Sequence, residues 1–315
     1  MTQAAISFRL IPLRFQLETT STFGAPEFKG ALFRGGFGKY FRELVCITRA
    51  PECGGCPHLV ACPYSIVFET PVQKERFSVL RKYPNAPHPF VMTPPLDDRR
   101  RISPGTKLEL AVTLIGENIR YLPHFIRVIE ALGASGRFGG GFRVHSVTSG
   151  THLVYDGRMR RLVGTPESWS SNPALRVEPK FLDIYAVTPL RMRTEGKYNH
   201  TPTFVEIMQA LLRRIGLLEA LYGNGEATDW QGTVHRVMEQ VDRVETENAD
   251  FEVYAWDRQS GRQGRRVPMD GVVGCWRVRG DFKEILPWLQ IGEQVHVGSG
   301  TSMGMGKIQV IEVQP

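Results

Sequence analysis

Apolar positions alternate from the start of the chain: Ile6, Phe8 and Leu10 on one parity, then Ile11, Leu13, Phe15 and Leu17 on the other. A period of two predicts a strand, and the one-residue shift predicts a bulge or kink near Pro12. The period then lengthens. Phe33, Phe37, Phe41 and Leu44 share one helical face within residues 28–45, with Lys29, Arg34, Lys39 and Arg42 elsewhere around it. Gly35, Gly36 and Gly38 weaken that helix and leave room for close approach of another backbone. Extended stretches follow at 88–93 and 108–115. A second helix carries Leu122, Phe125, Ile126, Ile129 and Leu132, with Gly133 as its terminator. A glycine loop over 133–141 leads into a strand over 142–147.

The second half repeats this plan. Residues 166–179 read as a linker, and 182–190 as a strand. Thr201 is the expected N-cap, with Pro202 opening a helix that aligns Phe204, Met208, Leu211, Ile215 and Leu218. Val234, Val237, Met238 and Val241 mark an inserted helix. Residues 251–256 and 271–278 read as a hairpin, and Asp281 as the cap of a short helix with Phe282, Ile285, Leu286 and Leu289. A glycine-rich segment over 295–306 precedes a last strand over 307–313. Both halves end in helix, glycine loop and strand, so the pattern predicts a duplicated α+β domain.

Composition narrows the class. The chain has 315 residues, 42% hydrophobic and 23% charged, with a formal charge of +7. That suits a globular protein of two domains, and the modest basic excess permits a nucleic-acid partner without requiring one. No apolar run approaches the roughly 18–20 residues of a membrane span, and the first 17 residues lack the continuous apolar stretch of a secretory signal. The expected compartment is the cytoplasm, where clustered cysteines read as metal ligands before disulfides.

Three groups carry candidate chemistry. Gly136, Gly139, Gly140 and Gly141 form one glycine set; Gly298, Gly300, Gly304 and Gly306, followed by Lys307, form the other. Such loops expose backbone N–H groups that can wrap a phosphate, although a plain turn fits the spacing equally. Neither matches a nucleotide-binding fingerprint. Arg258, Arg262, Arg265 and Arg266 crowd a hairpin turn in which Asp257 is the only carboxylate, and their fork geometry suits phosphate oxygens. The run Arg99 to Arg101 is partly neutralised by Asp97 and Asp98 and reads as a solvated loop. Cys46, Cys53, Cys56 and Cys62 follow the spacing C-x6-C-x2-C-x5-C, which suits a structural tetrahedral zinc. An iron–sulfur cluster is the alternative, since Cys62 precedes a proline. His58 is a substitute ligand, and Cys275 reads as a small buried residue.

The order of motifs resembles the CRISPR-associated pre-crRNA-processing endoribonucleases of the RAMP superfamily, often called the Cas-six family. The likeness rests on Val-Thr-Pro-Leu-Arg at 187–191, the helix with Arg213 and Arg214, Arg-Gln-Ser-Gly-Arg-Gln-Gly at 258–264, Asp-Gly-Val-Val-Gly at 270–274 and the glycine loop ending at Lys307. The first half joins in through residues 28–38, the cysteine cluster and the loop at 133–141. The resemblance implies tandem ferredoxin-like domains, here an N-terminal domain over 1–165 with the cysteine segment 46–62, a linker over 166–179 and a C-terminal domain over 180–315. It implies binding of CRISPR repeat RNA by the arginine hairpin and glycine loop. It also implies metal-independent cleavage by 2′-hydroxyl attack, leaving a cyclic phosphate and a 5′-hydroxyl; the sequence offers no carboxylate cluster for Mg²⁺. Relatives often carry a histidine on or just after the first helix; the helix over 28–45 has none, and His58 is near it but falls in the cysteine segment. His200, in a polar loop with Lys197 and Tyr198, is therefore the first candidate base, and Lys39 and Tyr40 the second. An ordinary surface role fits His200 as well. His145 and His296 are placed along the RNA groove, and His235 is read as structural. The rival function is a catalytically inactive RAMP subunit of a CRISPR effector complex. Expected partners are the repeat RNA and other effector subunits, with the chain itself a monomer or homodimer.

Overall fold

The computed structural model describes residues 6–70, 86–136, 140–170, 179–194, 196–225, 229–260 and 265–313. Two compact units divide at Trp169 and Ser170, and residues 6–8 belong with the second unit. There Ser7 contacts Glu219 through both its backbone N–H and its hydroxyl. The expected linker over 166–179 starts inside the first unit, where Trp169 N–H donates to Leu10 O at 2.7 Å; residues 171–178 lie outside the described ones.

The first unit contains strands β1 (Leu10–Thr19), β2 (Phe23–Gly24), β3 (Phe90–Thr93), β4 (Arg101–Ile102), β5 (Lys107–Ile115), β6 (Phe142–Ser149), β7 (His152–Asp156) and β8 (Arg161–Leu162), with helices α1 (Gly30–Val45) and α2 (Leu122–Ala134). Its antiparallel sheet runs β3-β5-β1-β6-β7-β8, and β2 pairs with β4. Leu13, Phe15 and Leu17 of β1 turn inward against Phe33, Phe37 and Phe41 of α1, all at most 1% exposed. Phe37 meets Phe125 of α2 with ring centroids 4.7 Å apart.

Several expectations shift. β1 pairs with β5 continuously through Pro12, and the irregularity lies between Gln16 and Leu17 against β6. Leu44, expected on the apolar face of α1, is 52% exposed at the helix end. Gly36 does serve close approach, but to a side chain: a Cβ there would sit 2.5 Å from Leu132 Cδ1. Gly133 does not end α2. It remains helical and buried because Phe142 O lies 2.2 Å from where its Cβ would be.

The second unit contains β9 (Phe181–Leu190), β10 (Met192–Thr194), β11 (Lys197–Asn199), α3 (Phe204–Tyr222), α4 (Trp230–Val241), β12 (Glu245–Tyr254), β13 (Asp257–Ser260), β14 (Arg265–Pro268), β15 (Gly271–Arg279), α5 (Leu286–Val295) and β16 (Ile308–Val313). Its main sheet runs β12-β15-β9-β16. Counting core strands by chain order, both units therefore share the antiparallel order 2-3-1-4, with two helices in the first unit and α3, α5 and the inserted α4 in the second, the ferredoxin-like plan. Leu182, Ile184 and Ala186 of β9 pack inward with Ile207, Leu211 and Ile215 of α3, while Trp276 of β15 is fully buried and donates to Pro202 O at 2.8 Å. The cap of α3 is Thr203 rather than Thr201. Thr203 and Glu206 form a reciprocal capping box, whereas the residue three beyond Thr201 is Phe204, which cannot close one. The last helix begins at Leu286 with Pro287 in its first turn, later than Asp281 implied.

Candidate functional site

The site is built where β9 ends. Beyond Leu190 the chain runs into the β10–β11 hairpin, and the glycine segment folds back onto the same strand. Ser299 N–H donates to Arg191 O at 2.9 Å, Gly306 N–H to Pro189 O at 3.0 Å, and Thr188 Oγ1 to Gly304 O at 2.6 Å. Glycine is required at two of these crossings. Gly298 has φ +80° and a Cβ there would lie 2.6 Å from Arg191 O; Gly306 has φ +68° and would place a Cβ 1.8 Å from Val297 O. Gly304 and Gly306 are buried, so they shape the loop, and Gly298 to Gly300 form its more open edge. Lys307 is half-buried.

Under the loop lie two basic groups, one buried and one half-buried. His296, expected along an RNA groove, is 1% exposed, and its Nδ1 lies 3.1 Å from Met305 O. Burial, with Lys307 nearby, drives its pKa well below the usual imidazole value, so it stays neutral. Arg214 donates from Nε to Val295 O at 2.8 Å, and burial pushes its pKa down to about 10. Both groups support the loop from inside.

The open side is cationic. Period two places Arg191, Arg193 and Tyr198 on one face of the β10–β11 hairpin, with Arg193 opposite Tyr198 in the register. The Arg191 guanidinium lies 3.9 Å from the Tyr198 ring centroid and that of Arg193 4.5 Å. Arg193 Nη2 also donates to the Tyr198 hydroxyl at 2.7 Å, and Arg191 Nη2 to Pro268 O at 3.1 Å. The opposite face is fixed by Glu206, which accepts from Thr194 at 2.7 Å and from Asn199 at 3.1 Å. Burial raises the Glu206 pKa, but its backbone and side-chain donors outweigh this and hold it below the ordinary value. Arg258 of β13 reaches Met303 Sδ at 3.6 Å. The Nε atoms of Arg191 and Arg258 are buried without a hydrogen-bond partner. Among the described residues no carboxylate pairs with Arg191, Arg193 or Arg258.

The remaining expected residues are distributed as follows. His200 is exposed and directly follows β11; Arg266 is exposed on β14, and Arg265 belongs to the same strand. Arg262 and Gly139 lie outside the described residues. Lys39 and Tyr40 belong to the first unit and His200 to the second. Lys39 is half exposed, 3.6 Å from Glu43, and Tyr40 packs partly against the aromatic core. His145 is exposed on β6. His235, expected to be structural, is 76% exposed and sits 3.4 Å from Glu239 on a helix face turned to solvent. Arg99 and Arg100 pair with Asp97 and Glu27, each at 3.0 Å, as expected of a solvated loop. Cys275 is half-buried. Cys46, Cys53, Cys56 and Cys62 line one cavity of about 180 Å³. Among the described residues no three His, Cys, Asp or Glu side chains stand close enough to hold a metal ion.

Two groupings had escaped sequence reasoning. The Arg191–Tyr198–Arg193 stack was hidden because 193–200 read as a loop; Gly196, at φ +81°, marks the turn that makes it a hairpin. The second lies in the first unit, where Arg34 Nη2 approaches His88 Nε2 at 3.4 Å and its guanidinium lies 4.5 Å from the Phe68 ring centroid. That contact joins residues 54 apart and leaves no local signal.

Two units of strand order 2-3-1-4, one bearing a cationic cluster beside a glycine-rich loop, define the class: a tandem ferredoxin-like protein. Residues 184–308 match the family CRISPR-associated endoribonuclease Cas6, and residues 8–167 match the N-terminal domain family AF_1859_N. The chain belongs by its first half to the AF_1859_N family, and its second half is similar to the Cas6 family of CRISPR-associated endoribonucleases. It is 29% identical over 297 residues to an uncharacterized protein of Archaeoglobus fulgidus, covering 90% of this chain and 92% of that one. Thermus thermophilus Cas6 superposes with a TM-score of 0.52 at 16% identity, covering 98% of this chain and all of that one. A Cas6–RT–Cas1–Cas2 complex gives 0.57 at 12% identity, covering 99% of this chain and 47% of the longer one. At these identities the structural matches carry the fold alone. Among the described residues no helix is long and apolar enough to cross a membrane.

Proposed function

We propose that this chain binds the repeat RNA of a CRISPR transcript and cuts it into CRISPR RNA units, using its own side chains for the chemistry. The observation that carries this is the cluster of Arg191, Arg193 and Arg258, without carboxylate partners, beside the open edge of the glycine loop. Guanidinium groups left unneutralised are suited to phosphate oxygens, and backbone N–H groups at the loop edge add donors.

Cleavage then requires three roles. A base takes the proton of the 2′-hydroxyl upstream of the scissile bond, the resulting oxyanion attacks the adjacent phosphorus, and a proton reaches the departing 5′-oxygen. His200 is assigned as the base. Arg191 and Arg193 offset the charge of the pentavalent phosphorane, with Tyr198 holding both guanidiniums in place. The products are a 2′,3′-cyclic phosphate and a 5′-hydroxyl. A second reading gives the proton transfer to His88, supported by its contact with Arg34. Replacing the nucleotide before the cut with its 2′-deoxy form should abolish cleavage and leave binding largely intact. Continued cutting of that substrate would reject the mechanism.

A further inference from the structure

None of the five cysteines takes part in the site described above, and four of them lie close together in the sequence. Cys46 caps the C-terminus of α1, and Cys53, Cys56 and Cys62 follow on a segment made of turns. Cys56 N–H donates to Cys53 O at 3.1 Å, Leu59 N–H to Cys56 O at 3.0 Å and Cys62 N–H to His58 O at 2.8 Å. Little apolar packing holds this segment together: Leu59 is only half-buried. Ile47 is 80% exposed and Val60 72%, so its two largest aliphatic residues after Leu59 face solvent. Short turn segments without a core of their own keep one shape through a covalent or metal link. No disulfide joins these thiols.

The four thiols share one cavity, of about 180 Å³. Thr48 Oγ1 lies 3.9 Å from Cys46 Sγ and 3.8 Å from Cys56 Sγ, bridging the first and third of them. Between Cys53 and Cys56 the turn is set by backbone conformation. Gly55 has φ +75°, and a Cβ at Gly54 or Gly55 would meet open space, so packing does not impose the bend. A tight Cys-x-x-Cys turn of this kind brings two sulfurs to one side of the backbone. The four residues line the cavity, and no three ligating groups converge among the described residues. Closure to the roughly 2.3 Å zinc–sulfur distance would be an inward movement of this segment, which Arg42 ties to α1 through Ala50 O and Pro51 O.

We propose that Cys46, Cys53, Cys56 and Cys62 bind one zinc ion as thiolates in a closed tetrahedral site. Binding displaces the thiol protons to solvent and changes no oxidation state. The consequence is structural. The ion would tie the end of α1 to the helical turn Ser65–Glu69, whose Val67 and Phe68 enter the core. Phe68 packs there against Phe41 with centroids 5.3 Å apart. All four positions around the ion are filled by protein, so it has no place for a substrate.

The test uses the full chain purified under reducing conditions in zinc-containing medium. Titration with an organomercurial, in the presence of a chromophoric zinc chelator, should release one zinc per chain as four thiols react. The Cys275→Ser variant should release the same amount. The Cys53→Ser, Cys56→Ser double variant should carry no stoichiometric zinc and melt at a lower temperature. Should that variant not fold, the titration of the unaltered protein decides alone. Zinc-free protein whose five thiols all react freely would overturn the proposal, as would full zinc retention in the double variant. Iron and sulfide with visible absorbance would overturn the assignment to zinc.

Discussion

The two units use one strand order for different ends, and the contrast lies in what each adds to it. The first unit adds the cysteine segment after α1 and two outer strands, β7 and β8. Its centre is a set of interlocked rings, with Phe37 touching Phe41, Phe68, Phe90 and Phe125. The second unit adds two hairpins and a glycine segment, all at one end of its first strand. Its additions carry cations and hydrogen-bonding backbone; those of the first unit carry aromatic rings and thiols. The shared ferredoxin-like frame therefore says little about chemistry, and the departures from it say where chemistry is placed.

Substitutions can break that contrast. The largest effect is expected at the base. His200→Ala should slow single-turnover cleavage by about a hundredfold to ten-thousandfold at preserved affinity, the usual contribution of a general base. His88→Ala, Lys39→Ala and Tyr40→Phe should cut within a few-fold of the unaltered rate. The reverse pattern, with His88→Ala inactive and His200→Ala normal, would move the chemistry to the first unit.

Stability should divide the other way. Phe37→Ala removes a ring at the centre of the aromatic cluster and should cost about 3–5 kcal/mol in denaturant unfolding. Its RNA-binding salt dependence, measured where it is folded, should match that of the unaltered chain. A changed slope would show that the first unit's core shapes the RNA-binding surface.

Arg191→Ala with Arg193→Ala should weaken binding and flatten the plot of log affinity against log salt by roughly 0.7 for each single-strand phosphate that is no longer neutralised. An unchanged slope would make the Tyr198 stack a structural feature of the hairpin. The smallest effect is a pH dependence. His296 has a folded pKa well below its unfolded value, so below about pH 6.5 the unfolded chain takes up a proton that the folded one refuses. Stability should therefore be fully present above that value and fall by at most about 1.4 kcal/mol per pH unit below it. His296→Asn should flatten this part of the profile, because asparagine keeps a polar side chain and does not titrate. A variant with the unaltered acid limb would remove His296 as its source.

Much of the frame was legible because buried faces impose their period on the chain. The alternation in β9 and the four-residue spacing of Phe33, Phe37 and Phe41 follow directly from which side meets the core. Ends were harder to read. Thr201 and Thr203 are both plausible caps until the capping-box partner is sought, and only Thr203 has a glutamate three residues on. Gly133 looked like a stop because glycine usually is one; its actual role is to admit the Phe142 carbonyl, a contact made in three dimensions. In the site, the glycine loop and Arg258 were visible as composition. The Tyr198 stack needed the hairpin register, and the Arg34–His88 contact needed the tertiary fold.

The most direct test of the central claim is product analysis. The purified chain would be incubated with end-labelled CRISPR repeat RNA in excess EDTA, and the termini of the fragments identified. The account predicts cutting at one position within the repeat, a 2′,3′-cyclic phosphate on the upstream fragment and a 5′-hydroxyl on the downstream one. Tight binding without cutting would contradict it and favour a holding subunit. Fragments bearing 5′-phosphate and 3′-hydroxyl ends would contradict the proposed attack by the 2′-hydroxyl.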